Sequence, residues 1–188
     1  MTDPEIQKIT DEYYAAVPHK NARGPKVMIL FSGVPGSGKS TVARVLEREF
    51  RAVRLSNDEV RSRIWAVAPH APLKEREAAK LRIATDVLTR VLQAGNGMAI
   101  IDTSCDRGYD YYQEFAAKYG YRIVLLRLRV PYSEIKARLA ARGDVSVAHL
   151  PGWWRQWQTF GRTHTPNLII TPLTPQSHII HALQQIIC

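Results

Sequence analysis

The sequence predicts an α/β fold in which a parallel sheet of five strands is flanked by helices. Three observations carry that expectation. Short apolar runs alternate with segments of helical periodicity from Lys26 onward. The first run, Val27–Phe31, is apolar at every position, as a strand buried on both faces requires. A glycine-rich turn then separates this run from the next helical segment.

The elements follow in order. Glu5–Ala16 reads as a short helix with Asp3 or Pro4 near its start, and Pro18–Pro25 as a linker. Residues 1–25 are thus expected to form an N-terminal extension, and residues 26–188 the main domain. Lys39–Phe50 is a helix with Val42, Val45, Leu46 and Phe50 on one side. Ala52–Leu55 is a second strand. Asp58–Trp65 and Pro72–Gln93 are helices, the latter with a stripe of Leu81, Val87, Leu88 and Val91. Gly95-Asn96-Gly97 suits the end of that helix. Met98–Ile101 is a third strand ending at Asp102, and Tyr109–Tyr119 a helix closed by Gly120. Arg122–Val130 is a fourth strand, and Tyr132–Arg142 a helix ending at Gly143. Asn167–Thr171 is a fifth strand, and Gln176–Ile187 a closing amphipathic helix.

The composition suits one globular domain: 188 residues, 45% apolar and 23% charged. Two cysteines, Cys105 and Cys188, make neither a disulfide framework nor a zinc spacing, and Cys188 has no prenylation context. The first residues lack the pattern of a signal peptide. No apolar run approaches the ~18–20 residues that span a bilayer, so a cytoplasmic protein without a membrane partner is expected. The net charge of +9 favours anionic partners such as nucleic acid or phosphorylated metabolites, with plain solubility as the alternative.

The turn itself carries the sharpest signal. Gly33-x-x-x-x-Gly38-Lys39-Ser40 matches the Walker A phosphate-binding loop in full, between a strand and a helix. The expected nucleotide site is Gly33, Val34, Pro35, Gly36, Ser37, Gly38, Lys39, Ser40 and Thr41. Glycines let backbone N–H groups turn toward phosphates, and the helix N-terminus adds positive potential. Lys39 is expected to reach the β- and γ-phosphates, and the Ser40 hydroxyl to coordinate Mg²⁺. The chain has no Asn-Lys-x-Asp base-recognition sequence, which favours ATP over GTP.

Ser56-Asn57-Asp58-Glu59-Val60-Arg61 follows the second strand, at the sheet edge where ligands bind. Asp58 can accept a proton from an attacking hydroxyl, and Arg61, one helical turn on, can grip an acceptor phosphate. The alternative is a helix cap beside a solvated arginine.

With these residues the chain resembles the phage-type polynucleotide 5′-kinase branch of P-loop kinases, within a zeta-toxin-like group. Tyr119-Gly120-Tyr121, Val130–Glu134 and Arg138–Gly143 add to the likeness, which covers residues 26–143. The resemblance implies a nucleoside-monophosphate-kinase-like P-loop fold with a helical lid. Asp58 falls on the family's general base and Arg61 on its acceptor-phosphate arginine. Asp102-Thr103-Ser104 resembles the family's Asp-Thr-Asn, with Asp102 and Thr103 on the substrate side. Ser104 departs from that pattern, which puts any contact by the missing amide in doubt. Asp102 would hold a Mg²⁺-bound water or organise the loop, or else cap local backbone. Arg138 and Arg142 look like lid arginines that close over the phosphates, with a solvated basic face as the alternative.

Weaker signals remain. Trp153-Trp154-Arg155-Gln156-Trp157 fits either base stacking or core packing, with core preferred for at least one ring. Lys74, Arg76, Lys80 and Arg82 read as a solvated helix face, with a phosphate-tracking surface as the alternative. His149, His164, His178 and His181 have no spacing that assigns a metal. The leading expectation is an ATP-dependent kinase whose acceptor, by resemblance, is a single-stranded nucleic acid with a 5′-hydroxyl. The alternatives are a kinase acting on a sugar, nucleoside or antibiotic, and a nucleotide-dependent switch or nucleic-acid-binding ATPase.

Overall fold

The computed structural model describes residues 1–18, 24–143 and 146–187. Most of the expected linker, 19–23, lies outside them, as does Cys188. Five strands, β1 (Val27–Ser32), β2 (Val53–Ser56), β3 (Met98–Ser104), β4 (Arg122–Leu128) and β5 (Leu168–Ile170), form one sheet of order β2-β3-β1-β4-β5. Every pairing is parallel. The helices are α1 (Asp3–Ala16), α2 (Lys39–Phe50), α3 (Asn57–Val67), α4 (Leu73–Gln93), α5 (Tyr109–Tyr119), α6 (Tyr132–Ala141), α7 (Ser146–Thr163) and α8 (Gln176–Ile187).

The pleat of β1 explains why the sheet needs cover on both faces. Met28 and Leu30 join a core with Ile64, Ile83 and Val87 from α3 and α4. Ile29 and Phe31 join another with Leu46 of α2 and Ile179 and Leu183 of α8. All four β1 residues are fully buried. The chain order reverses across β1, whose neighbours are β3 and β4, so the carboxyl ends of these strands frame the ligand crevice.

Four local features differ from the sequence expectation. Helix α1 is built into the core: Ile6, Ile9, Tyr13 and Val17 are buried in the cluster under α3 and α4. Its start carries a capping box, in which Thr2 and Glu5 satisfy each other's backbone N–H. In α4 the buried stripe is Ala79, Ile83, Val87, Leu88, Val91 and Leu92, while Leu81 is 60% exposed. A 3.6-residue period run back from Val91 passes through Ile83 and Ala79, and misses Leu81. Strand β3 continues through Ser104, so Asp102 lies within it, and β4 stops at Leu128. Helix α7 has no counterpart in the sequence expectation, which assigns no element between Gly143 and Asn167; Pro151-Gly152 lies in that stretch. The helix nevertheless runs through Pro151. Its Leu150, Trp157 and Phe160 are buried, which outweighs the lost backbone bond.

Candidate active site

The loop from Gly33 to Gly38 joins β1 to α2. Gly36 and Gly38 have φ of +82° and +98°, in the left-handed region where side chains strain. A Cβ at Gly36 would also come within 3.2 Å of Leu139, so a side chain there would push on α6. Gly38 caps α2 without a side-chain hydrogen bond, which leaves the positive end of the helix open to an anion. Val34 is buried against α6 and α7, and Pro35 is half-buried. Ser37 is buried with its Oγ unpaired, a donor within the loop that phosphate oxygens would satisfy.

Lys39 Nζ donates to the carbonyls of Gly33 at 2.9 Å and Val34 at 3.0 Å, folding the ammonium back over the loop. Burial pulls its pKa down to about 8, against the opposing pull of the Asp106, Asp102 and Asp58 carboxylates. The next residue, Ser40, donates its hydroxyl to Asp102 Oδ1 at 2.9 Å. The other Asp102 oxygen accepts from Arg54 Nη1 at 2.9 Å. Arg54 also binds Glu47 at 2.9 Å and Glu59. One guanidinium on β2 thereby ties α2, α3 and β3 together behind the loop. Burial alone would lower the Arg54 pKa, but its bonds to Glu47 and Glu59 outweigh burial and raise it. Thr103 follows Asp102 on β3 and is half-buried.

Two hollows open on either side of this loop. One, of about 600 Å³, is lined by apolar Val42, Val45, Leu128, Ile170, Pro172 and Ile179 beside Gly36–Thr41. Arg138 and Arg142 also line it. Arg138 Nη1 donates to Gly36 O at 3.1 Å, and its other nitrogen pairs with Glu134 one turn earlier. Arg142 is the exposed C-cap of α6 rather than a residue within the helix. The structure thus brings both expected lid arginines to the rim of one cavity, with Arg138 already on the loop.

The other hollow, of about 420 Å³, is polar, and Ser40, Ser56, Asp58, Glu59, Arg63 and Asp102 are among its lining residues. Asp58 sits in the first turn of α3, and its side chain is 81% exposed. Its carboxylate accepts from Arg61 Nη1 at 2.9 Å, while Arg61 Nε reaches Glu77 at 3.4 Å. Arg61 is therefore shared between two carboxylates, and it is not among the residues that line the cleft. Neighbours in sequence, Ser40 and Thr41 belong to the polar and the apolar hollow respectively. The phosphate loop is the wall between them.

Three participants were missed by sequence reasoning. Arg54 is an arginine inside a strand of otherwise apolar pattern, the one signal that marked it. Arg44 and Arg63 line the polar cleft. Each looks like an ordinary charge on a helix, so nothing in the pattern singled them out. The aromatic cluster goes to the core. Trp157 is 6% exposed and packs with Val34, Val130 and Leu139. Trp154 lies tilted against Trp157 with ring centres 4.8 Å apart, and meets Tyr132 edge-on at 5.2 Å. Trp153 is half-buried against His149 at 5.6 Å. These rings pack against Ile135 and Leu139 of α6. Arg127 lies over Trp157 at 4.3 Å and fills the space where a Cβ of Gly161 would fall. No cluster of three or more His, Cys, Asp or Glu able to hold a metal occurs among the described residues. No described helix is long and apolar enough to cross a membrane.

A family profile described as an AAA domain, AAA_33, matches residues 28–166. No curated protein matches the sequence. Among solved structures, a chain of the PezAT toxin–antitoxin system of Streptococcus pneumoniae aligns with a TM-score of 0.68 at 16% identity, over 92% of this chain and 79% of that one. The Mycobacterium tuberculosis APS kinase CysC, solved with AMPPNP and APS, gives 0.55 at 20% identity, over 86% and 99%. Shikimate kinase from Aquifex aeolicus gives 0.56 at 15% identity, over 85% and 94%. At these identities the likeness shows the fold: a P-loop kinase sheet of five parallel strands flanked by helices.

Proposed function

This chain belongs to that AAA-domain family, and from this premise we propose that it is an ATP-dependent phosphotransferase acting on a hydroxyl. One observation carries the reading: the polar cleft holding Asp58 and the apolar cavity beside the loop meet at the adjacent residues Ser40 and Thr41. A nucleotide with its base in the apolar cavity and its phosphates in the loop presents its last phosphate toward Asp58. A bare switch has no need of a second, carboxylate-lined cleft there. The solved APS kinase, with AMPPNP and APS bound, adds support for a donor and an acceptor site on this fold.

The chemistry then divides among the chain's own residues. Asp58 takes the proton of the acceptor hydroxyl as its oxygen bonds to the γ-phosphorus. The bond from that phosphorus to the β–γ bridging oxygen breaks, and ADP leaves. Lys39 exchanges its carbonyl partners for phosphate oxygens, and Arg138 and Arg142 offset charge on the group in transfer. The Ser40 hydroxyl and Asp102 carboxylate are hard oxygen donors side by side, a set that fits Mg²⁺ carried in by the nucleotide. Mg²⁺, when bound, supplies positive charge that offsets the phosphates. Asp102 is held in place for this by Arg54.

The acceptor implied by the sequence resemblance is a polynucleotide 5′-hydroxyl, and the net charge of +9 agrees with it. A compact anionic alcohol is the second reading. It is favoured by the lining of the cleft, which is serine, carboxylate and arginine with no aromatic ring for a base to stack on. Incubation with γ-labelled ATP and a panel of 5′-OH oligonucleotides, nucleosides and sugar derivatives separates them. Label on the oligonucleotides supports the first reading, and label confined to a small molecule removes it.

The buried ammonium gives a pH test of the donor half. Nucleotide phosphate favours charged Lys39, so affinity is near its limit at pH 7 and is expected to weaken about tenfold by pH 9, above the pKa of about 8. Calorimetric titration of ATP reads this, and Lys39→Met should flatten the slope. A wild-type slope equal to that of the variant would remove Lys39 from phosphate binding. Stability moves the other way. The unfolded chain holds more protons between pH 8 and its ordinary 10.5, so this group adds stability as pH rises through that window.

A further inference from the structure

Tyr13 lies on α1, outside the segment that the family profile matches. It is 2% exposed, with its ring in the main core. Its hydroxyl accepts a hydrogen bond from the Ser56 backbone N–H at 2.8 Å and reaches the Ser56 carbonyl at 3.4 Å. Burial pushes its pKa up to about 12, so the hydroxyl stays protonated and can donate as well as accept.

Ser56 is a sensitive place to hold. It ends β2, an edge strand with no further strand to take its outer N–H groups. It pairs in register with Asp102, the partner of Ser40. It is also the N-cap of α3, and its own side chain makes no capping bond. Asp58 stands two positions later. The same tyrosine ring carries Arg63 of the polar cleft, whose guanidinium lies 5.3 Å from the ring centre.

We propose that Tyr13 is a positioning residue for the acceptor site: its hydroxyl fixes the β2–α3 junction, and so sets the placement of Asp58 relative to the phosphate loop. The role of α1 is thus to complete the acceptor side of the site. Its outer ion pairs, Asp11 with Arg90 at 2.7 Å and the N-terminal amine with Glu75 at 3.1 Å, fasten the helix to α4. Such surface pairs contribute little each. The buried hydroxyl is the contact that transmits position. This inference rests on the reading of Asp58 as the base.

Tyr13→Phe keeps the ring and removes only the hydroxyl. The expected result is a fall in kcat for transfer of at least about tenfold, since small misplacements of a reacting group are costly, with ATP affinity within about twofold of wild type. The Ser56 amide should exchange with solvent at least about tenfold faster. Ile9→Ala loosens the same helix without touching Ser56, so it should lower the melting temperature and leave kcat within about twofold. Two results overturn the proposal. One is a Tyr13→Phe enzyme with kcat within about twofold of wild type, and the other is unchanged Ser56 protection. If wild-type protein labels no acceptor at all, the phosphotransferase reading fails and takes the positioning role with it. A normal loss in Tyr13→Phe alongside a fully active Asp58→Asn would instead reject Asp58 as base.

Discussion

Asp58→Asn is expected to lower kcat for phosphate transfer by about 10²–10⁴-fold, the range supplied by a positioned general base. The amide keeps the size and the hydrogen bonding of the carboxylate but has no basic oxygen. ATP affinity should change little, because Asp58 lines the polar cleft and not the apolar cavity beside the loop. Stability should also hold. The pair with Arg61 is exposed, and such pairs contribute at most about 1 kcal/mol. Rapid-quench measurement of transfer, with a parallel ATP titration, reads both quantities. Equal loss of binding and transfer would mean that Asp58 supports the nucleotide site instead of acting on the acceptor.

The second large effect is structural. Arg54→Leu removes the guanidinium that joins Asp102, Glu47 and Glu59. The Asp102 side chain is only 2% exposed and would keep a single hydroxyl partner, Ser40. Breaking a buried pair in this way costs about 3–5 kcal/mol, mostly from the stranded charge. Glu59 is more exposed and its share is screened by water. Urea unfolding should show the midpoint moving sharply down, and a loss below about 1 kcal/mol would show that the network carries little energy. Arg54→Lys keeps the charge but cannot fork to three carboxylates, so it should fall between the two. The double change Arg54→Leu with Asp102→Leu should recover part of the stability while abolishing activity, because it removes the stranded charge as well as the donor.

These two residues mark what was legible in the sequence and what was not. Asp58 stood beside a helix start just after a strand, where spacing offered either a base or a helix cap and the family resemblance favoured the base. The loop from Gly33 to Ser40 was legible because its chemistry and geometry lie within eight consecutive residues. Helices α2, α5 and α8 have the bounds that the apolar period and terminal glycines indicated. Arg54 was hidden because one of its partners, Asp102, lies 48 positions away. The apolar cavity was hidden likewise, since α2, β4 and β5 contribute to it from distant parts of the chain. Helix α7 was masked by Pro151, where packing of Trp157 and Phe160 overrides a local breaker. The reading of residues 1–25 as an extension had no way to foresee that Tyr13 would reach Ser56, 43 positions on.

The fate of the γ-phosphate separates a phosphotransferase from a bare ATPase. Labelled ATP, Mg²⁺ and the acceptor panel, followed over single turnovers, partition the label between an alcohol and water. Label is expected on an acceptor hydroxyl, at a rate that collapses in Asp58→Asn while ATP remains bound. Label appearing only as free phosphate, at the same rate in both proteins, would contradict phosphate transfer to an acceptor.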